Sequence, residues 1–359
     1  MSAMIVLYGA SGYTGRLTAA ELSARGAEFV VAGRDRAKLD SVAGGLGSAT
    51  RPDVRVADAT DPGSLARMLD GADVVVSTVG PFERLGMPVV DAAVAAGVAY
   101  CDSTGEPGFM RRVARRHGSA AVPVVPACGF DYVPHDLAAA VAVDGLAKVD
   151  SVETLLAPRR FATSRGTKAS ALGAVAEAGA EWAGGRWVPA RPGSHRRGFS
   201  RGEGRPSLVG VSYPGGDPVQ IVNHVEADTV RSYFAVPAAV APIAGPVAWL
   251  AQRTLGTPWV GDRLRRLVER GPEGPSAQER ARNTWTVIAV ARGGDEEHTA
   301  VATGGDTYGI TARLLTEFAL RLRPWRDGGV PTGFRAPAEL VADPAASASD
   351  LGFALERVA

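Results

Sequence analysis

Met4 to Tyr8 (MIVLY) is an unbroken apolar run that stops at a glycine. Further strand-like runs, mostly apolar, follow at 29–32 (FVVA), 54–57, 73–77 (DVVVS), 99–102 and 123–127, with helical patterns between the runs at 15–25, 36–44, 62–69, 88–96 and 108–117. A strand buried on both faces reads as a continuous apolar run, because neither side meets water. Strands that alternate with helices are joined by right-handed crossovers, so this half of the chain is predicted to be α/β, a doubly wound parallel sheet. From about residue 149 the rhythm changes. Runs at 152–156, 207–211, 220–225, 232–236 and 284–291 predict a mixed or antiparallel sheet, with a helix at 169–182 laid over it. Segment 184–206 is rich in Gly, Pro and Arg and reads as a mobile loop or lid. A helix is predicted over 307–321, with Ile310, Leu314, Phe318 and Leu322 on one face. The expected division is 1–148, an inserted mixed α/β domain at 149–305, and a helix and tail at 306–359 returning to the first domain.

Charge and composition narrow the function. The 359 residues carry 39 Lys plus Arg against 38 Asp plus Glu, a net charge of +1. That balance leaves no broad basic footprint, which argues against nucleic acid as partner. The two cysteines, Cys101 and Cys128, cannot build a disulfide framework, and the opening MSAM lacks the basic region of a signal peptide. A reducing cytoplasm is therefore the expected location. Residues 232–251 (SYFAVPAAVAPIAGPVAWLA) carry no charge and match a membrane span in length. Pro237, Pro242 and Pro246 interrupt them, however, so the expectation is a buried or lid-like hairpin without a stable span, packed at a subunit contact of a homodimer or beside an apolar substrate tail.

The first apolar run leads into Gly9-Ala10-Ser11-Gly12-Tyr13-Thr14-Gly15 and then into a helix. Glycines at this spacing permit a tight turn, close backbone approach to a pyrophosphate, and close packing of helix on strand. The helix start then offers unpaired N–H groups to the phosphates. In this strand-turn-helix position the pattern predicts a Rossmann-type dinucleotide site built from Gly9, Ser11, Gly12, Tyr13, Thr14 and Gly15. The second strand ends Gly33-Arg34-Asp35, with Arg34 nineteen residues after Gly15. A guanidinium there suits the 2′-phosphate of NADP(H), whereas a carboxylate such as Asp35 suits the ribose of NAD(H); Arg34 favours NADP(H), and Asp35 has an alternative role as a helix cap. Asp58 and Ala59 follow the third strand at the adenine edge. Thr78, Gly80 and Pro81 follow the fourth, where the nicotinamide half is expected to pass, and Asp102 ends the fifth.

With these residues in view, the chain resembles the saccharopine dehydrogenase-like oxidoreductases, which include the trans-acting enoyl reductases. The resemblance rests on GASGYTGR at 9–16, AGR at 32–34, GPFERLGMPVVDAAVAAGVAYCDSTGE at 80–106, ACGFDYVPHDL at 127–137, SRGTKAS at 164–170 and GGVPTG at 328–333. It implies a Rossmann domain binding NADP(H), an inserted α/β domain covering the substrate, and hydride transfer to a C=N or an activated C=C bond. Tyr132 and His135 stand where that family often has a small serine-type residue, and 184–206 is unusually basic here. Substrate identity is not carried over.

Reduction of either bond needs an acid or an oxyanion stabiliser from the protein. Asp102 and Asp131 end the fifth and sixth strands, where open α/β sheets bind ligands, although each is equally suited to capping a helix or holding a loop. Tyr132, His135 and Lys168 complete the catalytic candidates. His135 is alternatively a turn residue before the apolar helix at 137–143, and Lys168 alternatively a solvated side chain. Tyr308 is a weaker candidate acid. No Cys or His spacing suggests a metal site, and Ser11 belongs to the phosphate turn, so no hydrolase triad emerges. Arg186, Arg191, Arg196, Arg197, Arg201 and Arg205 form either a solvated excursion or a landing site for an anionic carrier, such as a carrier-protein phosphopantetheine arm or coenzyme A. The expected function is an NADPH-dependent reductase acting on a C=N bond of a biosynthetic intermediate. Reduction of a C=C bond in an acyl thioester and a non-catalytic NADP-binding role are the alternatives. Thr167-Lys168 is expected to close toward Asp102 and Asp131-Tyr132.

Overall fold

Strand β1 (Ile5–Tyr8) is fully buried and pairs in parallel with β2 (Phe29–Gly33) on one side and β4 (Val74–Ser77) on the other. Outward from these lie β3 (Val54–Val56), β5 (Ala99–Asp102) and β6 (Pro123–Val125), also parallel. The computed structural model describes residues 4–47, 51–176, 179–255, 263, 267–268 and 271–358. Each strand leads into a helix: α1 (Tyr13–Ala24), α2 (Arg36–Gly45), α3 (Pro62–Leu69), α4 (Phe82–Ala95), α5 (Pro107–His117) and α6 (Val133–Val143). The helix starts are locally encoded. Asp35 and Asp61 cap α2 and α3 through their carboxylates, and Pro62 sits in the first turn of α3, where its missing N–H costs nothing.

Two units divide the chain: Met1–Thr104, Phe109–Phe130 and Tyr308–Leu340 form the first, and Gly105–Gly108, Asp131–Thr307 and Val341–Ala359 the second. The first unit's sheet has the order β15-β6-β5-β4-β1-β2-β3, where β15 (Gly333–Phe334) is a short parallel addition. The strand order reverses between β1 and β4, which places the ligand crevice of this unit at their carboxyl ends.

The second unit holds β7 (Val149–Arg159), α7 (Arg165–Ala176), β8 (Gly179–Ala183), β9 (Arg186–Ala190), β10 (Arg196–Phe199), β11 (Leu208–Tyr213), α8 (Asp217–Ile221), β12 (Ala227–Val236), α9 (Ala241–Leu255), α10 (Ala277–Arg282), β13 (Thr284–Gly293) and β14 (Glu296–Gly305). Helix α11 (Thr307–Leu322) leads back into the first unit, and α12 (Pro344–Leu351) and β16 (Ala354–Arg357) return to the second. Its sheet runs β10-β11-β12-β7-β13-β14-β16, with β7 and β12 parallel and the other pairs antiparallel. One face carries a core of Leu155, Phe199, Tyr233, Ile288, Val290 and Val301, and α6 packs on β13 and β14.

Several sequence expectations need correction. Segment 184–206 is no loop: β8 and β9 form a hairpin turning at Gly184-Gly185, and β10 adds to the sheet edge. Residues 220–225 do not form a strand, because Pro218 opens α8. Helix 169–182 ends at Ala176, and β8 takes its last residues. His135 lies within the first turn of α6, not before it. The tail divides, β15 going to the first unit and β16 to the second. Residues 232–251 are the end of β12 and most of α9, not a hairpin; among the described residues no helix is long and apolar enough to cross a membrane.

Candidate functional site

In the first unit, the turn after β1 is shaped by what glycine lacks. Gly9 has φ +89°, and a Cβ there would lie 2.6 Å from Thr78 Oγ1. Gly15 backs directly onto the Gly9 carbonyl, so only a residue without a side chain lets α1 descend onto β1. Thr78 Oγ1 lies 3.2 Å from both the Tyr8 and Gly9 carbonyl oxygens, tying the end of β4 to the turn. Arg16 Nη1 donates to Ser11 O at 2.7 Å and fixes the loop from behind. Gly12 caps α1 without a side-chain bond, and no acidic residue stands in the first turn. The opening N–H groups of α1, at Thr14 and Gly15, therefore meet no carboxylate in the first turn and suit an anion. Tyr13 stacks edge-on against Tyr308, their ring centres 5.1 Å apart.

Arg34, at the end of β2, is exposed and makes no hydrogen bond or ion pair among the described residues. Its neighbours are already committed. Asp35 accepts from Lys38 N at 3.2 Å, and Asp58 accepts from Thr60 N at 2.8 Å and Thr60 Oγ1 at 2.6 Å. Those two bonds, with a smaller contribution from Arg34, hold the Asp58 carboxyl below its usual range. Ala59 is buried beside it, and Tyr8 OH reaches Ala57 O at 3.4 Å; burial first, then Asp58, pushes that phenol up to about 12. An uncapped helix start, a glycine cradle that a Cβ would fill and an uncommitted guanidinium fit a dinucleotide with an extra phosphate.

Past β4, Gly80 and Pro81 join through a cis peptide bond and lead into α4. Asp102 is fully buried and spent on its surroundings. Oδ1 accepts from Thr104 N at 2.9 Å and Ala127 N at 2.8 Å, and Oδ2 accepts from Tyr100 OH at 2.7 Å. The carboxylate locks the ends of β5 and β6 together.

In the second unit, a different cluster gathers around the start of α6. Tyr132 OH accepts from Gly216 N at 3.0 Å and reaches Gly105 O at 3.5 Å. Asp131 Oδ2 stands so close to Gly105 that a Cβ there would be 2.8 Å away. Facing them is the turn Pro214-Gly215-Gly216 that leads into Asp217, the first residue of α8, whose Oδ2 accepts from Ser232 Oγ. His135 and Asp217 are almost fully buried, and among the described residues both ring nitrogens of His135 and Oδ1 of Asp217 have no hydrogen-bond partner. Buried polar atoms are normally satisfied, which makes this cluster a candidate place for a polar group of a ligand.

Electrostatics follow from this packing. Burial, and then the charge of Asp217, lifts the Asp131 carboxyl to about 6. Tyr132 and Tyr213 are pushed well up, burial leading and Asp217 adding. His135 is pushed down by burial, against the pull of Asp217 and Asp136, and is neutral near neutrality. Asp136 points elsewhere: its Oδ1 lies 2.7 Å from His224 Nε2. The cluster thus offers a carboxyl that holds its proton unusually well, beside phenols that stay protonated.

Of the four catalytic candidates, the structure brings together Asp131, Tyr132 and His135. Lys168 is exposed in the first turn of α7, where Ser164 Oγ accepts from Thr167 N at 3.1 Å, and no bond joins it to the cluster among the described residues. Sequence reasoning missed Asp217, Tyr213 and Ser232, whose only signal was the turn-forming Gly-Gly-Asp-Pro at 215–218. It also missed Glu106, buried and accepting from Ser170 Oγ at 2.5 Å. Among the described residues no group of three His, Cys, Asp or Glu is placed to hold a metal ion.

Comparison with known proteins bears on the cofactor half of this geometry. Residues 5–124 match the family described as "Saccharopine dehydrogenase NADP binding domain". The chain is 44% identical over 140 residues to the trans-acting enoyl reductase of Mycobacterium leprae, covering 37% of this chain and 34% of that one. It is 43% identical over 140 residues to that of Mycobacterium ulcerans, with the same coverage. The matches span less than half the length of the curated relatives. Among solved structures, saccharopine dehydrogenase (L-Glu forming) from Saccharomyces cerevisiae shares the fold, with a TM-score of 0.64 at 15% identity over 100% of both chains. Over residues 5–124, then, this chain is similar to the saccharopine dehydrogenase NADP-binding domain.

Proposed function

We propose that this chain is an NADPH-dependent reductase and that its substrate is an α,β-unsaturated acyl thioester. The observation that carries the reading is Asp131, a carboxyl held up to about 6 by burial and Asp217 beside two protonated phenols. NADPH, when bound, supplies a hydride. Gly9, Ser11, Gly12, Tyr13, Thr14 and Gly15 would hold its pyrophosphate, and Arg34 its 2′-phosphate. Reduction of a conjugated C=C bond builds negative charge on the thioester oxygen and then requires a proton at carbon. A carboxyl that keeps its proton can donate to that oxygen or deliver the proton, as an ionised carboxylate cannot. The mycobacterial relatives are named trans-acting enoyl reductases, which supports reduction of an enoyl group. Arg186, Arg191, Arg196 and Arg205 are exposed and unpaired among the described residues, which suits the phosphates of coenzyme A or a phosphopantetheine arm. Arg197 is not available, being paired with Glu153 and Glu297. The free, buried Cys101 and Cys128 support a reducing cytoplasm.

A second reading, reduction of a C=N bond, draws on the same two carboxylates. Once ionised, Asp131 and Asp217 would stabilise the cation of a protonated imine. Absorbance assays of NADPH consumption with an enoyl-thioester series and an imine series separate the two. Turnover of the thioesters alone supports the first reading, turnover of imines alone the second, and cofactor binding without either supports a non-catalytic protein.

A further inference from the structure

Helix α9 is built inside out. Its inward positions, Ala241, Ala244, Gly245 and Ala248, are small, and Gly245 lies against Gly193 so closely that no side chain fits between them. They recur at helical spacing and let α9 press onto β11 and α7. The large apolar side chains point the other way. Ile243 is 57% exposed, Val247 58%, Trp249 47% and Leu250 60%, with Val240 beside them at 43%. A soluble helix places its Ile, Val and Leu in the core and polar groups outside; here the outward stripe is apolar and contiguous, which marks an interaction surface.

The charge around the stripe selects the partner. From Thr229 to Gly261 the sequence contains no Asp or Glu. Arg253, in the last turn of α9, lays its guanidinium 5.0 Å from the centre of the Trp249 ring, and Arg263 beyond the helix is exposed. A tryptophan and aliphatic residues with Arg253 stacked at their edge match an interface whose surface is anionic and whose interior is hydrocarbon. A second copy of the same face would bring cations against cations. We infer that α9 is a membrane-surface anchor: it lies in the plane of an anionic lipid bilayer, with Ile243, Val247, Trp249 and Leu250 dipping into the acyl boundary and Arg253 at the headgroups. Anionic lipid on the cytoplasmic leaflet supplies the complementary charge.

The test is co-sedimentation of the full chain with vesicles of phosphatidylcholine alone or mixed with phosphatidylglycerol. Binding to the mixed vesicles is expected, weakened by salt and by Arg253→Gln. A triple variant, Ile243→Glu, Val247→Glu and Leu250→Glu, should reduce the bound fraction by at least about tenfold while leaving NADPH binding unchanged. Should the triple variant not fold, bromine-labelled lipids decide instead: they should quench the fluorescence of the unaltered chain, and Trp249→Phe should remove most of the quenching. No binding to anionic vesicles at low salt overturns the inference. So does a dimer in solution that the triple variant dissolves, for then α9 serves a second copy.

Discussion

Asp131 and Asp217 act on one another across the start of α6 and the turn before α8, and the charge of the second helps keep the proton on the first. Asp217 is anchored by Ser232, which fixes its carboxyl in place beside Asp131. This relationship underlies the chemical predictions.

Asp131→Asn should lower kcat by about a hundred- to ten-thousandfold with little change in NADPH binding. The unaltered enzyme should lose rate as pH rises through about 6, where Asp131 gives up its proton. A pH–rate profile of both forms checks this; an unaltered rate in Asp131→Asn removes the residue from the chemistry.

The same carboxyl affects folding. Its proton leaves near the usual 3.8 in the unfolded chain but near 6 in the folded one. Between those values the folded chain binds more protons, so its stability falls as pH rises through the window. The cost, about 3 kcal/mol, is absent below the window and fully present above it. Asp131→Asn should therefore be more stable than the unaltered chain above about pH 6, and about equal to it in acid, as measured by urea denaturation across pH.

Asp102 should behave in the opposite way. Asp102→Ala strips three hydrogen bonds from Tyr100, Thr104 and Ala127 in a fully buried place. A loss of about 3–4 kcal/mol is expected in denaturation, with cofactor selectivity unchanged in whatever fraction folds.

Lys168 is exposed and unattached to the cluster, which suits a hold on an anionic part of the substrate. Lys168→Ala should raise KM several-fold and leave kcat nearly unchanged. Steady-state kinetics distinguish this from the pattern expected for Asp131→Asn.

The parallel sheet was legible because strands such as 5–8 and 74–77 are buried on both faces and read as runs that are almost wholly apolar. Gly9 and Gly15 were legible for a similar reason: the close approach to Thr78 and to the Gly9 carbonyl tolerates no other residue. Strand β15 is two residues long and exists only through its pairing with β6, so no local pattern announces it. The hairpin of β8 and β9 carried a Gly184-Gly185 turn signal, but Arg186 and Pro189 concealed the strand pattern of β9. At the site, Asp131 and Tyr132 were legible from their place after a parallel strand. Asp217 was not, because only tertiary folding brings it to them, out of a turn that reads as ordinary punctuation. In α9, the apolar residues were visible but their outward direction was not, since small and large side chains alternate on its two faces.

Arg34→Ala should weaken NADPH binding by about ten- to a hundredfold and leave NADH binding nearly unchanged, because it removes a charge-assisted contact to phosphate alone. Calorimetric titration with both cofactors measures it.

The most direct measurement is NADPH consumption by the purified full chain with an α,β-unsaturated acyl thioester, together with identification of the product. Stoichiometric oxidation of NADPH with formation of the saturated thioester, abolished in Asp131→Asn, is the predicted result. Tight NADPH binding with no consumption on any enoyl thioester, or consumption only with imines, would contradict it.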